Sequence, residues 1–299
     1  VRDINIQKRE NDLIIGTFGR GIYILDNYTP LRQLKPEVMK QDGLTFPVKD
    51  ALMYIQSQPS GGRGKSFQGE SYYTAENPPF GATFTYYLQE ELKTRKAKRQ
   101  ESEKEAEKKG TGIMLPSQTD LRAEEEEDAP AIIITVTDSE GRVVRRLTGP
   151  VTAGMQRVTW DLRYPPASRP PPPNPETEDP FSDPPGGPLV MPGAYKVSIA
   201  RRVNGAMTPL GQSQDFQVVV EGQEGMPAAD RAALVEFQKK SARLQRAVQG
   251  ALEAANALKP RLALIRRALL DTPAAGDQLL DEASALDKRT TELLRALRG

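Results

Sequence analysis

The hydrophobic pattern changes period along this chain. In "DLIIGTFGRGIYILD", Asp12 to Asp26, two short runs that are apolar on both faces flank Gly16, Gly19 and Gly21. A phosphate-cradling loop needs a helix after its glycines, so that free amides face the phosphate. Here the β-branched and aromatic run Ile22-Tyr23-Ile24-Leu25 follows at once. The stretch therefore predicts an antiparallel hairpin with no helix after Gly21 and no bound phosphate. Runs that are apolar on both faces predict burial, and a lone hairpin is marginal in water. The hairpin needs a sheet that these residues do not supply.

From about Asp50 to Glu221 the period is two. "DALMYIQ" is one candidate strand, and "GATFTYYL" is another, with Phe84, Tyr86 and Leu88 sharing a face. "AIIITVTDSEGRVVRRL" reads as a hairpin, Ile132, Ile134 and Val136 inward and Asp138 to Gly141 turning. Val158, Trp160 and Leu162 alternate, as do Tyr195, Val197 and Ile199, and "QDFQVVVEG" closes the set. These strands predict one immunoglobulin- or fibronectin-like β-sandwich over residues 46–222.

Two insertions interrupt it. Residues 89–128 are rich in lysine and glutamate, which predicts a solvated helix or a disordered excursion, dispensable for folding. The acidic run Glu124 to Asp128 offers calcium ligands, without the glycine-punctuated spacing of a calcium loop. Residues 165–193 are proline-rich and extended, either an SH3-type ligand or a stiff loop over a neighbouring surface.

From Pro227 the period becomes helical, with Leu234, Phe237, Leu244, Val248 and Leu252 in one stripe. Pro260 predicts a break between a long helix and a later helical segment. Leu262, Ile265, Leu269, Leu279, Leu286, Leu293 and Leu294 offer matching stripes, so residues 223–299 predict a helical hairpin or small bundle, or pairing with another subunit. The expected fold is mainly β with an α-helical tail.

Composition narrows the chemistry. Lys and Arg number 41 against 40 Asp and Glu, and residues 227–299 carry 13 basic against 9 acidic side chains, so no basic field argues for nucleic acid. No apolar run is long enough to span a membrane as a helix. There is no cysteine or histidine among the 299 residues. That removes thiolate nucleophiles, Cys/His zinc sites and the Ser-His-Asp relay, and leaves carboxylate, lysine or tyrosine as general bases. The chain opens on Val1 and enters strand-like sequence directly, the pattern expected of a fragment or processed product.

With these parts in order, the chain resembles the C-terminal region of bacterial sortilin-like β-propeller proteins, the BNR- or Asp-box-repeat proteins often labelled glycosyl hydrolases. The residues that carry the resemblance are "DLIIGTFGRGIYILD", Pro30 to Leu34, "ENPPFGATFTYYL", "GRVVRRLTGPVTAGMQRVTWDLRY" and "MPGAYKVSI". The resemblance implies that residues 1–45 end a propeller whose other blades lie upstream of Val1, in a secreted or periplasmic protein. No Asp-box occurs, since "TDSEGR" has the wrong Asp-to-Gly spacing, and no glycosidase residue carries over.

Candidate sites follow. The sole tryptophan, Trp160, is either a sugar platform or, by its alternation with Val158 and Leu162, a core residue with Asp161 and Arg163 outward. Asp161, Glu176, Asp179 and Asp183 are the carboxylates available for a glycosidase pair, the last three in the proline-rich loop. Tyr72, Tyr73, Tyr86 and Tyr87 form an aromatic set that binds glycan or seals the sandwich against the propeller. The reading assigns no catalytic, cofactor or metal residue. Its expected partners are the upstream propeller, other subunits or glycan, without nucleic acid or a membrane span. The competing class is a support for a propeller glycoside hydrolase whose active site lies upstream.

Overall fold

The computed structural model describes residues 1–55, 75, 77–112, 115–167, 186–222, 226–272 and 274–298. Among the described residues helix accounts for 38% and strand for 29%, so the fold is mixed rather than mainly β. It divides into two compact units, Val1–Tyr164 with Val190–Gly225, and Pro165–Leu189 with Met226–Gly299.

The first unit opens with an antiparallel meander of β1 (Asp3–Gln7), β2 (Asp12–Gly16) and β3 (Ile22–Leu25). Leu13 pairs with Leu25, and the turn takes Gly19 and Gly21 at φ 74° and 84°, where a side chain is strained. The Thr17 hydroxyl closes the turn by donating to the Gly21 carbonyl at 2.7 Å. The hairpin is as expected, and a strand rather than a helix follows Gly21. The burial is not. Ile4, Ile22 and Ile24 are 58, 73 and 60% exposed, because no described segment covers either face of this sheet.

Two further sheets form the core. One runs β5 (Ala51–Met53), β12 (Gln214–Val220), β10 (Gly193–Val203), β7 (Ala131–Asp138) and β8 (Val143–Gly149), with β11 (Ala206–Pro209) also on β10. The other runs β4 (Gly43–Thr45), β6 (Ala82–Leu88) and β9 (Gly154–Trp160). The period-two residues do what their pattern dictates: Ile132, Ile134, Val136, Val197, Phe216 and Val218 are all buried. Rings from the two sheets meet edge-on, Phe84 against Phe216 at 5.6 Å and Trp160 against Tyr195 at 5.6 Å. On β6 the alternation gives way, and Thr85 and Tyr87 are buried alongside Phe84, Tyr86 and Leu88. Close approaches require glycine at Gly81 and Gly149, among other positions. A Cβ on Gly81 (φ 124°) runs into the Trp160 carbonyl, and one on Gly149 runs into the Tyr86 ring.

The charged insertion folds as two solvated helices, α1 (Arg95–Lys109) and α2 (Gln118–Glu125), with no buried residue in either. The Thr94 and Ser117 side chains cap their N-termini, and Ser117 forms a reciprocal capping box with Asp120. The Arg99 guanidinium forks onto Glu124 at 2.7 and 2.8 Å and reaches Glu103 at 2.7 Å. That fork pushes the Arg99 pKa up and holds the Glu124 carboxyl below its ordinary value.

In the second unit α3 (Ala228–Leu270) packs against α4 (Asp277–Arg298). Pro260 does not separate two helices, which corrects the sequence expectation: α3 runs through it, and the break falls after Leu270. Packing overrides the missing N–H, because α4 bridges both sides of Pro260. Arg298 donates to the Asn256 amide oxygen at 3.2 Å, and the Arg266 guanidinium lies 3.8 Å from the Asp287 carboxylate. Leu262 and Leu294 are buried, whereas Leu234, Phe237 and Leu244 stay exposed, N-terminal to the Arg298–Asn256 bond. No described helix is long and apolar enough to cross a membrane.

Candidate functional site

The β1–β3 sheet is tied to the core at a charged cleft of about 470 Å³. Three local features build it. The Asp12 carboxylate accepts from the Asn27 amide at 2.9 Å, which fixes the exit of the chain from β3. β9 carries Arg157 opposite Thr85, on the polar face of its strand. From there the guanidinium donates to the carbonyls of Asp26 (2.7 Å) and Asn27 (2.8 Å). Ahead of β5, the Lys49 amine pairs with Glu10, which also takes Arg9 at 2.8 Å. Burial, and then the Arg9 charge, hold Lys49 below its ordinary pKa.

The other wall is apolar. Tyr54 and Phe80 meet edge-to-face at 5.2 Å beside Pro78 and Pro79. Asp50 faces the cleft while its carboxylate accepts from the Gln217 amide at 2.9 Å. Asp26 and Glu221 also line it. Chemically this is a seam with an aromatic wall and an excess of carboxylates. Among the described residues no group of three or more acidic side chains is placed to hold a metal ion.

The residues singled out from sequence lie elsewhere. Trp160 is fully buried, its Nε1–H donating to the Arg163 carbonyl at 2.9 Å, so it is a core residue and offers no platform. Asp161 is exposed, and its carboxylate accepts from the Arg163 amide at 3.1 Å. Glu176, Asp179, Asp183, Tyr72 and Tyr73 lie outside the described residues. Tyr86 and Tyr87 are buried, their hydroxyls donating to the carbonyls of Pro150 (2.6 Å) and Met39 (3.2 Å). Burial pushes the Tyr86 phenol up to about 12. Of the acidic run, Glu124 is taken by Arg99, and Glu127 accepts from the Arg95 amide at 2.6 Å.

Sequence reasoning missed the Arg157, Asp26 and Lys49 set. The one available signal was Arg157 itself, a long cation on the polar face of a strand whose other face packs. No family model, no curated protein and no solved structure matches the chain.

Proposed function

We propose that this chain is the C-terminal structural and interaction region of an exported, sortilin-like β-propeller protein. In this reading β1–β3 belong to its closing blade. The two core sheets form an immunoglobulin- or fibronectin-like sandwich, and α3 with α4 makes an accessory helical hairpin. The protein is secreted or periplasmic, and the region supplies no catalytic residue.

One observation carries the reading. The β1–β3 meander presents Ile4, Ile22, Tyr23 and Ile24 to water, although β2 and β3 are as apolar as buried strands. Sheets with apolar runs on both faces are found covered on both faces, and an exposed contiguous apolar patch marks an interaction surface. A propeller blade is a four-stranded sheet stacked between neighbours, which is the cover this meander lacks.

Amide hydrogen exchange tests it, on this chain alone and on the full-length gene product. The β1–β3 amides are expected to exchange quickly in the isolated chain and to be protected in the full-length protein. Ile22→Ser with Ile24→Ser should then lower the melting temperature of the full-length protein by several degrees. Equal exchange in the two proteins, or a full-length melt indifferent to the double substitution, removes the reading.

A further inference from the structure

We infer that the cleft beneath the β1–β3 sheet is a binding site for a basic side chain, arginine or lysine, presented by a partner polypeptide. Among the described residues, five acidic and three basic residues line the cleft, a balance of minus two. Glu10 is neutralised by Lys49 and Arg9, and Asp12 and Asp50 each accept a backbone amide. Arg157 directs two of its N–H groups to backbone carbonyls and pairs with no carboxylate among the described residues. The carboxylates of Asp26 and Glu221 are left with no side-chain partner among the described residues, which leaves them open to a cation.

Shape selects the rest of the ligand. The Tyr54–Phe80 pair and Pro78–Pro79 form an apolar wall in the same cleft. A lysine or arginine places its methylene stem on such a wall and its head on the carboxylates, where charge-assisted hydrogen bonds are the strong ones. A volume of about 470 Å³ admits one long side chain rather than a strand or helix. Anions are disfavoured by the net charge. A neutral sugar fits the aromatic wall but leaves both carboxylates uncompensated.

The probes are acetyl-Ala-Arg-Ala-amide, its Gln counterpart and cellotetraose, each titrated into the 299-residue chain by calorimetry and NMR. The Arg peptide is expected to bind saturably and more weakly as salt rises, and the Gln peptide not to bind. Asp26→Asn with Glu221→Gln should weaken the Arg peptide by about tenfold or more, as expected when a charge pair is lost. Tyr54→Ala should weaken it by less. All three residues are at least partly exposed, and the emission of Trp160 verifies that each variant is folded. No saturable binding of the Arg peptide overturns the inference, as does equal affinity for the Gln peptide or for the double variant. Binding of cellotetraose alone, abolished by Tyr54→Ala, reassigns the cleft to sugar and also overturns it.

Discussion

Replacing Trp160 by alanine removes the largest side chain at the point where the two core sheets meet. Its ring stands 5.6 Å from Tyr195 and 6.4 Å from Phe216, both on the facing sheet, and it is fully buried. Emptying such a site costs about 3–5 kcal/mol. Two local terms act on that value in opposite directions. The Arg163 carbonyl loses its Nε1–H donor, a bond worth about 1 kcal/mol. The same bond closes a turn in which Leu162 sits at φ 55°, a conformation that costs a bulky residue about 1–3 kcal/mol, and relaxation of that turn offsets part of the loss. In a unit of this size each kcal/mol moves the melting temperature by about 2–4 °C, so a fall of roughly 6–20 °C is expected. Trp160 is the only tryptophan, so the wild-type melt of this unit is read from its emission and the variant from near-UV circular dichroism. Trp160→Phe, which keeps a ring and loses the donor, should fall between the two. A melt lowered by less than about 2 °C in Trp160→Ala, under 1 kcal/mol on the same scale, refutes this account of the core.

The Arg99–Glu124 fork makes the α1–α2 pairing sensitive to acid. The folded Glu124 carboxyl titrates below its unfolded value, so its contribution is fully present above that unfolded value and is lost as pH falls through the folded one. The Arg99 Nε–H resonance should therefore be protected at neutral pH and begin to exchange with water below the ordinary glutamate range. Glu124→Gln should remove the protection at all pH values; protection unchanged in that variant would show that the fork does not hold the helices. Pro260→Ala should raise the stability of the α3–α4 unit by about 2 kcal/mol. Proline costs about 3 kcal/mol inside a helix relative to alanine, and its stiffness in the unfolded chain returns about 0.4–1 kcal/mol. A urea melt of far-UV circular dichroism that is unmoved or lowered would place a helix break at Pro260 after all.

Much of the core was legible because burial there is one-sided. Tyr195, Val197 and Ile199 alternate with the polar Lys196 and Ser198, and Ile132, Ile134 and Val136 alternate with the less buried Ile133 and Thr135, a period dictated by a strand with one covered face. Two elements escaped. β11 follows Asn204-Gly205, which adopt φ 50° and 75° as a type I′ turn requires; the dipeptide was a hairpin signal, but "AMTP" carries no alternation. β4 is three residues long and is held by pairing to β6 and by the Thr45 hydroxyl on the Leu210 carbonyl, contacts far apart in sequence. The cleft was illegible for the same reason. Glu10, Asp26, Lys49 and Arg157 come from four separate segments, and only the tertiary fold brings them together.

The contrast between the sheets bears on what the chain is for. Trp160 and its neighbours reach full burial using partners within the first unit, whereas Ile22-Tyr23-Ile24-Leu25, equally apolar, stays exposed along the whole strand. Apolar surface costs about 25 cal/mol for each Å² left in water, so the meander is stabilised by what holds it at its base. Those ties are polar: Arg157 on two carbonyls, Lys49 on Glu10, and the Tyr28 amide on the Asn11 carbonyl at 2.8 Å. Such bonds contribute about 0.5–1.5 kcal/mol each. They fix the position of the sheet without covering its faces. A sheet held at one end, with one face apolar across all three strands and the other apolar on β2 and β3, is poised to pack between other layers. In that arrangement the cleft beneath it becomes the joint between the packed sheet and the core, and a basic side chain seated on Asp26 and Glu221 would engage the protein at that joint.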